Sequence, residues 1–143
     1  MTKGRILIVD ADAATRENLQ KMLQIDGYEA PEAASCRVAI QSFEASRPDA
    51  LVVAARLPDG TALDILAHVK RADAGVACVV LARFEELDVA VQAIQEGAEQ
   101  FLTKPVQLPA FLLVVDRVLE NQRNRRRRHR GGKQPRPTAR LNG

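Results

Sequence analysis

Two carboxylates and one ammonium group lie at positions of this chain where chemistry is expected. Asp10 follows the apolar run ILIV, Lys104 follows FLT, and Asp59 lies in the turn LPDG. A carboxylate can act as a nucleophile or as a metal ligand, and an ammonium group can neutralise a bound anion. The apolar run LVV ends instead in Ala54 and Ala55, whose methyl groups can do none of this. Two of these apolar runs are therefore followed by a charged residue, whereas the run LVV is followed by alanines.

The alternation of apolar runs with helical patterns predicts the elements that must position these residues. Strands are predicted at residues 5–9, 28–33, 49–53, 76–82 and 100–103, each followed by a helical pattern. The short links between them imply parallel strands and right-handed crossovers, so the predicted fold class is α/β with a doubly wound sheet. Pro31 weakens the second strand and suggests an edge position. The crevice at the carboxyl ends of such strands is where ligands bind, which places Asp10, Ala54 and Lys104 there.

Several other classes of protein are disfavoured by the same sequence. The first strand-to-helix turn, VDADAATR, has no glycine, which excludes the dinucleotide-binding fingerprint. No apolar run reaches the roughly 18 residues of a membrane span, and the apolar run near the start is too short for a signal peptide, so a cytoplasmic protein is predicted. Cys36 and Cys78 lack metal-ligand spacing, and neither a disulfide nor a metal site is expected from them.

The net charge of +3 conceals two regions of opposite sign. Nine of the 21 Lys and Arg residues lie in residues 121–143, which hold no acid, so the first 120 residues carry 12 basic and 18 acidic groups. The prediction is a globular domain at 1–120 followed by a basic, disordered tail at 121–143. The cationic patch of the tail consists of Arg125, Arg126, Arg127, Arg128 and Arg130. The patch fits a linker or weak tether better than dedicated nucleic-acid binding, which would lack sequence specificity, and contact with anionic lipid is a further alternative.

Three motifs together resemble the receiver domain of bacterial two-component response regulators, particularly those of the nitrogen-regulator type. They are ILIVDAD at the first strand, RLPDG after the third and FLTKP at the fifth. The resemblance covers residues 4–120 and implies a flavodoxin-like (βα)5 fold, a three-layer sandwich whose five-stranded parallel sheet has the order 2-1-3-4-5. It also implies that an aspartate ending strand three accepts a phosphoryl group. In that family two acids of strand one hold Mg²⁺, a Ser or Thr ends strand four, and a Lys ends strand five.

The chain departs from the receiver pattern at three of these positions. Ala54 stands at the phosphoacceptor position, Ala11 at the second acid and Ala82 at the hydroxyl. Asp10 and Lys104 remain with opposite charges, so Mg²⁺ binding is expected to be weak or absent and no metal or other cofactor is predicted. The two are expected to form a partly buried ion pair with a structural role. The degenerate pocket comprises Asp10, Ala11, Ala54, Arg56, Ala82, Lys104 and Pro105.

These departures predict a pseudo-receiver, a module that is not an enzyme and that signals by binding a kinase, regulator or effector protein. One alternative is phosphorylation of a displaced carboxylate such as Asp10 or Asp59, and another is nucleic-acid binding by the tail. Asp12 precedes a helical pattern, which favours an N-cap over a metal ligand. Turn chemistry explains Asp59 without phosphorylation.

The face formed by helix four, strand five and helix five is the surface through which receivers usually bind partners. Phe101 stands where the family has a switch aromatic; core packing is the simpler interpretation, and an inward, activated-like position is the alternative. The first part of the face is acidic, which fits a solubilising surface or docking to a basic partner or a second copy in a homodimer. Its acids are Glu85, Glu86, Asp88, Glu96 and Glu99.

Overall fold

Five parallel strands form the central sheet of the computed structural model, which describes residues 2–131 and the side chains as far as residue 128. The strands are β1 (Ile6–Val9), β2 (Glu32–Ala33), β3 (Ala50–Ala54), β4 (Ala77–Ala82) and β5 (Gln100–Thr103). Their order is β2-β1-β3-β4-β5 and every neighbouring pair is parallel. The predicted fold class and strand order are confirmed.

Five helices connect or follow these strands. They are α1 (Ala13–Ile25), α2 (Cys36–Ala45), α3 (Ala62–Ala72), α4 (Leu87–Gln95) and α5 (Leu108–Gly131). The side chains of Asp12, Ser35 and Thr61 accept backbone N–H groups at the starts of α1, α2 and α3, which satisfies donors that a helix start leaves open. A short antiparallel hairpin, Arg56–Leu57 with Gly60–Thr61, lies between β3 and α3, where the sequence predicted only a turn.

The sheet separates two apolar layers. Helices α1 and α5 cover one face with side chains that include Leu23, Phe111 and Leu119, and α2, α3 and α4 cover the other with Phe43 and Leu66 among others. Every residue of β1, β3 and β4 is buried, because these central strands have helices on both faces. None of the helices in the described part of the chain has the length and hydrophobicity needed to cross a membrane.

The second strand is shorter than the sequence predicted. Residues 28–33 were expected as a strand, whereas β2 spans Glu32–Ala33, preceded by an isolated bridge between Arg5 and Glu29. The proline at position 31 has no N–H to donate and contributes its carbonyl alone, to the N–H of Ile8. The strand lies at the sheet edge, as Pro31 suggested.

Helix α5 is longer than predicted. A disordered tail was expected from residue 121, but α5 continues to Gly131, so the predicted boundary is wrong for residues 121–131. The reason is tertiary: Gln122 is buried and donates hydrogen bonds to two backbone carbonyls of the loops before β3 and β4. Local composition, which lacks apolar residues here, could not reveal those contacts. The rest of the predicted tail, residues 132–143, lies outside the described residues.

Candidate functional site

A cavity of about 740 Å³ opens at the carboxyl-terminal edge of the sheet. Six residues of the predicted degenerate pocket line it, namely Asp10, Ala11, Ala54, Arg56, Lys104 and Pro105. They come from the ends of β1, β3 and β5, which meet because parallel strands finish at one edge. Ala82, the seventh, ends β4 fully buried and contributes its carbonyl, which accepts the N–H of Lys104 at 2.9 Å.

Asp10 and Lys104 form the ion pair that the sequence predicted. The Lys104 Nζ lies 2.7 Å from Asp10 Oδ2, and the two side chains are 20% and 4% exposed. The other carboxylate oxygen, Oδ1, accepts the N–H of Asp12 at 2.9 Å. Among the described residues Oδ2 receives no well-directed hydrogen bond, so the close ammonium group is its main compensation. The deepest charge in the cavity is therefore already neutralised.

The third strand brings a methyl group to this edge. Ala54 is 3% exposed and is the last residue of β3, in the same cavity as Asp10 and Lys104. Ala11 follows Asp10 in the loop between β1 and α1. The family resemblance places a phosphoacceptor at position 54 and a second acid at position 11, and neither side chain here carries an oxygen.

The loop between β1 and α1 is held by a residue that the sequence interpretation missed. Arg16 donates from Nη1 to the carbonyl of Asp10 at 2.7 Å, and from Nε to Glu32 Oε1 at 2.7 Å. Asp12 accepts the N–H of Thr15 at 3.1 Å and its hydroxyl, which confirms the predicted N-cap. These bonds hold the pKa of the Asp12 carboxyl below its ordinary range, the Thr15 hydroxyl being the largest cause.

Arg83 and Glu86 complete the charged lining and were not recognised as pocket residues. Glu86 is buried and accepts the N–H of Arg83 at 2.9 Å, while Arg83 Nη2 lies 3.2 Å from Glu86 Oε2. A Glu three residues after a turn start is a capping signal that could have suggested this arrangement. The lining then has three acids, Asp10, Asp12 and Glu86, and three cations, Arg56, Arg83 and Lys104.

The predicted acidic face needs correcting at two of its five residues. Glu86 turns inward to Arg83, and Glu99 is four-fifths buried at the other edge of the sheet, where it accepts the N–H of Cys78 and pairs with Lys70 at 3.0 Å. Both carboxylates satisfy backbone donors, which outward-facing acids would leave open. Glu85, Asp88 and Glu96 remain exposed.

Two further residues from the sequence analysis lie outside the cavity lining. Asp59 accepts the N–H groups of Cys36 and Arg37 at 2.8 and 3.0 Å, so it joins the hairpin to the start of α2. These backbone bonds lower the pKa of its carboxyl. Phe101 is partly buried and packs against the layer of α2, α3 and α4, as both core packing and the inward, activated-like position require. Among the side chains that the structure describes, no group of three or more His, Cys, Asp or Glu residues is arranged to hold a metal ion.

A five-stranded parallel sheet of this order, with strand-end Asp10 and Lys104 facing one cavity, defines the class of receiver-like α/β domains. Comparison with known families agrees: residues 6–116 match the model of the response regulator receiver domain. This chain belongs to that family.

Two relatives of the chain are regulators that are longer than the matched region. The chain is 31% identical over 110 residues to the response regulator MprA of Mycolicibacterium vanbaalenii, covering 76% of this chain and 47% of the relative. It is 28% identical over 119 residues to the regulatory protein AtoC of Escherichia coli, covering 83% and 26%. The chain thus spans less than half the length of these curated relatives.

Solved structures show the same architecture. The crystal structure of NtrX from Brucella abortus has a TM-score of 0.83 at 26% identity, covering 96% of this chain and 32% of that one. A CheY-like receiver domain from Methanospirillum hungatei has a TM-score of 0.80 at 25% identity, covering 85% and 97%. The similarity therefore extends both to a complete isolated receiver and to part of a larger regulator.

Proposed function

We propose that this receiver domain does not accept a phosphoryl group at position 54 and that it acts by binding a protein partner in a two-component or phosphorelay pathway. The observation that carries the proposal is the methyl group of Ala54, which occupies the buried end of β3 beside Asp10 and Lys104. Phosphoryl transfer needs a nucleophilic oxygen, and alanine has none. Its expected compartment is the cytoplasm.

The side chains around Asp10 support the proposal, because their contacts do not leave a suitable site for Mg²⁺. That ion prefers an octahedral shell of oxygen ligands and usually binds one or two carboxylates together with phosphate oxygens. The Asp10 carboxylate is held by Lys104 at 2.7 Å, Asp12 is engaged by Thr15, and Glu86 by Arg83. A cation would have to displace the lysine from a buried pair, and no phosphoryl group would be present to receive that lysine.

A displaced phosphoacceptor finds little support in the same geometry. Asp10 is neutralised by Lys104, and Asp59 is occupied by the N–H groups at the start of α2. Each would have to give up these contacts before it could attack a phosphoryl donor. Binding without phosphorylation requires no such rearrangement.

The exposed part of α4 supports a binding role for the domain. Val91 and Ile94 are 51% and 39% exposed, Asp88 is exposed on the same helix, and Glu96 is exposed directly after its last residue. An apolar strip flanked by acids suits a partner that offers apolar side chains with a basic rim. The partner's identity as a kinase, regulator or effector is part of the proposal.

Phosphorylation is tested by incubating the protein with acetyl phosphate and Mg²⁺ and measuring its intact mass. We expect no gain of a phosphoryl group by the natural chain. The matched control is the triple variant A11D/A54D/A82T, which restores every missing oxygen and is expected to gain one group. A stoichiometric gain by the natural chain would reject the proposal, and peptide mapping would then assign the modified carboxylate to Asp10, Asp59 or another position.

Partner binding is tested separately, by affinity capture from the native host. We expect capture of a two-component protein that is lost in the variant V91E/I94E, which places charge on the exposed strip of α4. Q92E/Q95E adds the same charge beside that strip and serves as the control. Equal capture by both variants would contradict binding through this face.

A further inference from the structure

Residues 121–131 form a basic helical arm, the part of α5 that lies beyond the predicted domain boundary. Five arginines occur between positions 123 and 128, and the arm contains no acidic residue. An α-helix rises about 1.5 Å per residue, so these five cations occupy about 8 Å of helix axis. The phosphates of a nucleic-acid duplex carry charge at a similar density, one per about 1.7 Å of duplex axis.

The arm is anchored to the amino-terminal edge of the sheet, which fixes its direction. Gln122 Nε2 donates to the carbonyls of Asp49 and Gly75 at 2.5 and 2.8 Å. Arg126 lies 3.4 Å from an oxygen of Asp73, on the loop before β4. Arg125 is 3.6 Å from Glu99 Oε2, a longer contact. A helix held in this way presents its cations in a preformed arrangement.

Not all of the arm's charge is used in anchoring. Arg127 and Arg128 form no ion pair with the carboxylates of the described residues. Arg127 donates to the side chain of Asn124, and Arg123 donates to the carbonyl of Lys3; both acceptors are neutral. The arginines also lie three or four residues apart, a spacing at which like charges destabilise a helix. A bound polyanion would relieve that repulsion.

A groove of about 290 Å³ lies at the base of the arm and extends the cationic surface. Its lining consists of Lys3, Asp49, Gln122, Arg123, Arg126 and Arg127. The nearby acids are engaged elsewhere: the Asp49 carboxylate accepts the N–H of Arg5 at 2.9 Å, and Asp26 and Asp116 lie 3.1 and 3.5 Å from the Lys3 ammonium. Arg126 pairs with Asp73, so the uncompensated charge of the groove is that of Arg123 and Arg127.

We propose that the basic arm binds the phosphate backbone of nucleic acid. A duplex is favoured over a single strand, because residues 121–131 contain no Phe, Tyr or Trp on which unpaired bases could stack. The first 120 residues hold 18 acids and 12 bases, so their surface repels nucleic acid and leaves the arm as the contact within the described part of the chain. Binding through phosphates positions a protein without reading sequence.

The test uses the full chain and fluorescently labelled duplexes of unrelated sequence, with anisotropy measured over a range of salt concentrations. The arm variant R127Q/R128Q is compared with R37Q/R71Q, which removes the same charge from exposed sites on α2 and α3. The arm variant is expected to bind about tenfold more weakly or worse, with a salt slope smaller by roughly 2, and the control to bind like the natural chain. Urea unfolding checks that both variants fold equally well.

The other outcomes would overturn this inference. Equal binding by the two variants would show that the arm does not contact the duplex. Stronger binding to anionic vesicles than to duplexes would indicate a lipid surface as the partner. Arm-dependent self-association by sedimentation, without duplex binding, would indicate that the arm docks on the acidic α4 of a second copy. Duplex DNA and duplex RNA are measured in parallel. Arm-dependent binding of either one supports the proposal and shows which kind of duplex the arm binds.

Discussion

The two edges of the sheet use charge in opposite ways. At the carboxyl-terminal edge, three acids and three cations line one cavity, and the buried Asp10 is neutralised by Lys104. At the amino-terminal edge, the basic arm and Lys3 provide more cations than the carboxylates around them engage. We call the first the closed edge, because its buried charge is paired. We call the second the open edge, because among the described residues it carries cations without carboxylate partners.

This difference teaches that the frame of the family fold is kept at one edge of the sheet while the excess of positive charge lies at the other. The buried strands and the strand-end pair of Asp10 and Lys104 preserve the frame of a receiver at the carboxyl-terminal edge. Ala54 places a methyl group at the position where the family resemblance implies the phosphoacceptor. The exposed charge available for a new contact lies at the opposite edge, on the arm.

The largest expected effect comes from removing the Lys104 ammonium group from its ion pair with Asp10 at the closed edge. The variant K104M keeps most of the unbranched side chain but leaves the Asp10 carboxylate, 4% exposed, without its ammonium partner. Breaking a buried pair in this way costs about 3–5 kcal/mol, because one charge stays buried without compensation. Urea unfolding at neutral pH should show a loss of this size.

The double variant D10N/K104M is the control for that prediction. It removes both charges, so most of the lost stability should return, although the amide oxygen of Asn accepts the N–H of Asp12 less strongly than the Asp10 carboxylate does. A loss below about 1 kcal/mol for K104M alone would be typical of a surface ion pair and would contradict the closed-edge interpretation.

The next effect tests the anchor at the open edge. In Q122A the carbonyls of Asp49 and Gly75 lose the amide that bridges them, which should cost about 1–3 kcal/mol in the free energy of unfolding. Asn121 is exposed beside it, and N121A should leave stability unchanged. Hydrogen exchange of residues 121–131 should also accelerate in Q122A. An unchanged exchange rate would mean that the arm is held by its ion pairs.

A smaller effect tests two carboxylates of the closed edge, Asp12 and Asp59, through pH. The pKa values of Asp12 and Asp59 lie below their ordinary value of 3.8, because the hydroxyl and N–H of Thr15 bind the Asp12 carboxylate and two backbone N–H groups bind that of Asp59. Their contribution to stability is therefore present above pH 3.8 and is lost as pH falls through the lowered values. Asparagine also caps helices, and Asp12 accepts from Thr15 through one oxygen only, so D12N should match the natural chain near neutral pH and lose less stability between about pH 5 and pH 2. Parallel pH profiles would contradict this.

The fold was predictable from sequence where the signal is local. Continuous apolar runs identify β1 and β4 as buried central strands, and the meeting of parallel strand ends brings Asp10 and Lys104 together. Capping residues such as Asp12 mark where helices begin. These features depend on the neighbouring sequence and on general rules of topology.

The rest depends on contacts between residues far apart in the chain. Arg16 reaches from α1 to Glu32 on β2, and nothing in either local sequence indicates the partner. Gln122 orders an arginine-rich segment whose own composition favours disorder, through carbonyls 73 and 47 residues away. Val91 is an apolar residue of α4, yet 51% of it is exposed, because Val89, Ala90 and Ala93 form the inner face of that helix.

The smallest effect uses the two cysteines as reporters of the two edges. Burial raises the pKa of each thiol to about 12. Asp59 adds to this effect at Cys36, which lies near the closed edge, and Glu99 adds to it at Cys78, which lies near the open edge. In the unfolded chain the thiols ionise near their ordinary value of 9.0, so their small contribution to stability is complete below pH 9.0 and declines as pH rises towards 12. At about pH 8 iodoacetamide should modify neither thiol in the native protein and both in urea, as mass spectrometry would show. Reaction of Cys36 faster than global unfolding would reveal local opening of the closed edge, and the same result at Cys78 would place that opening beside the arm.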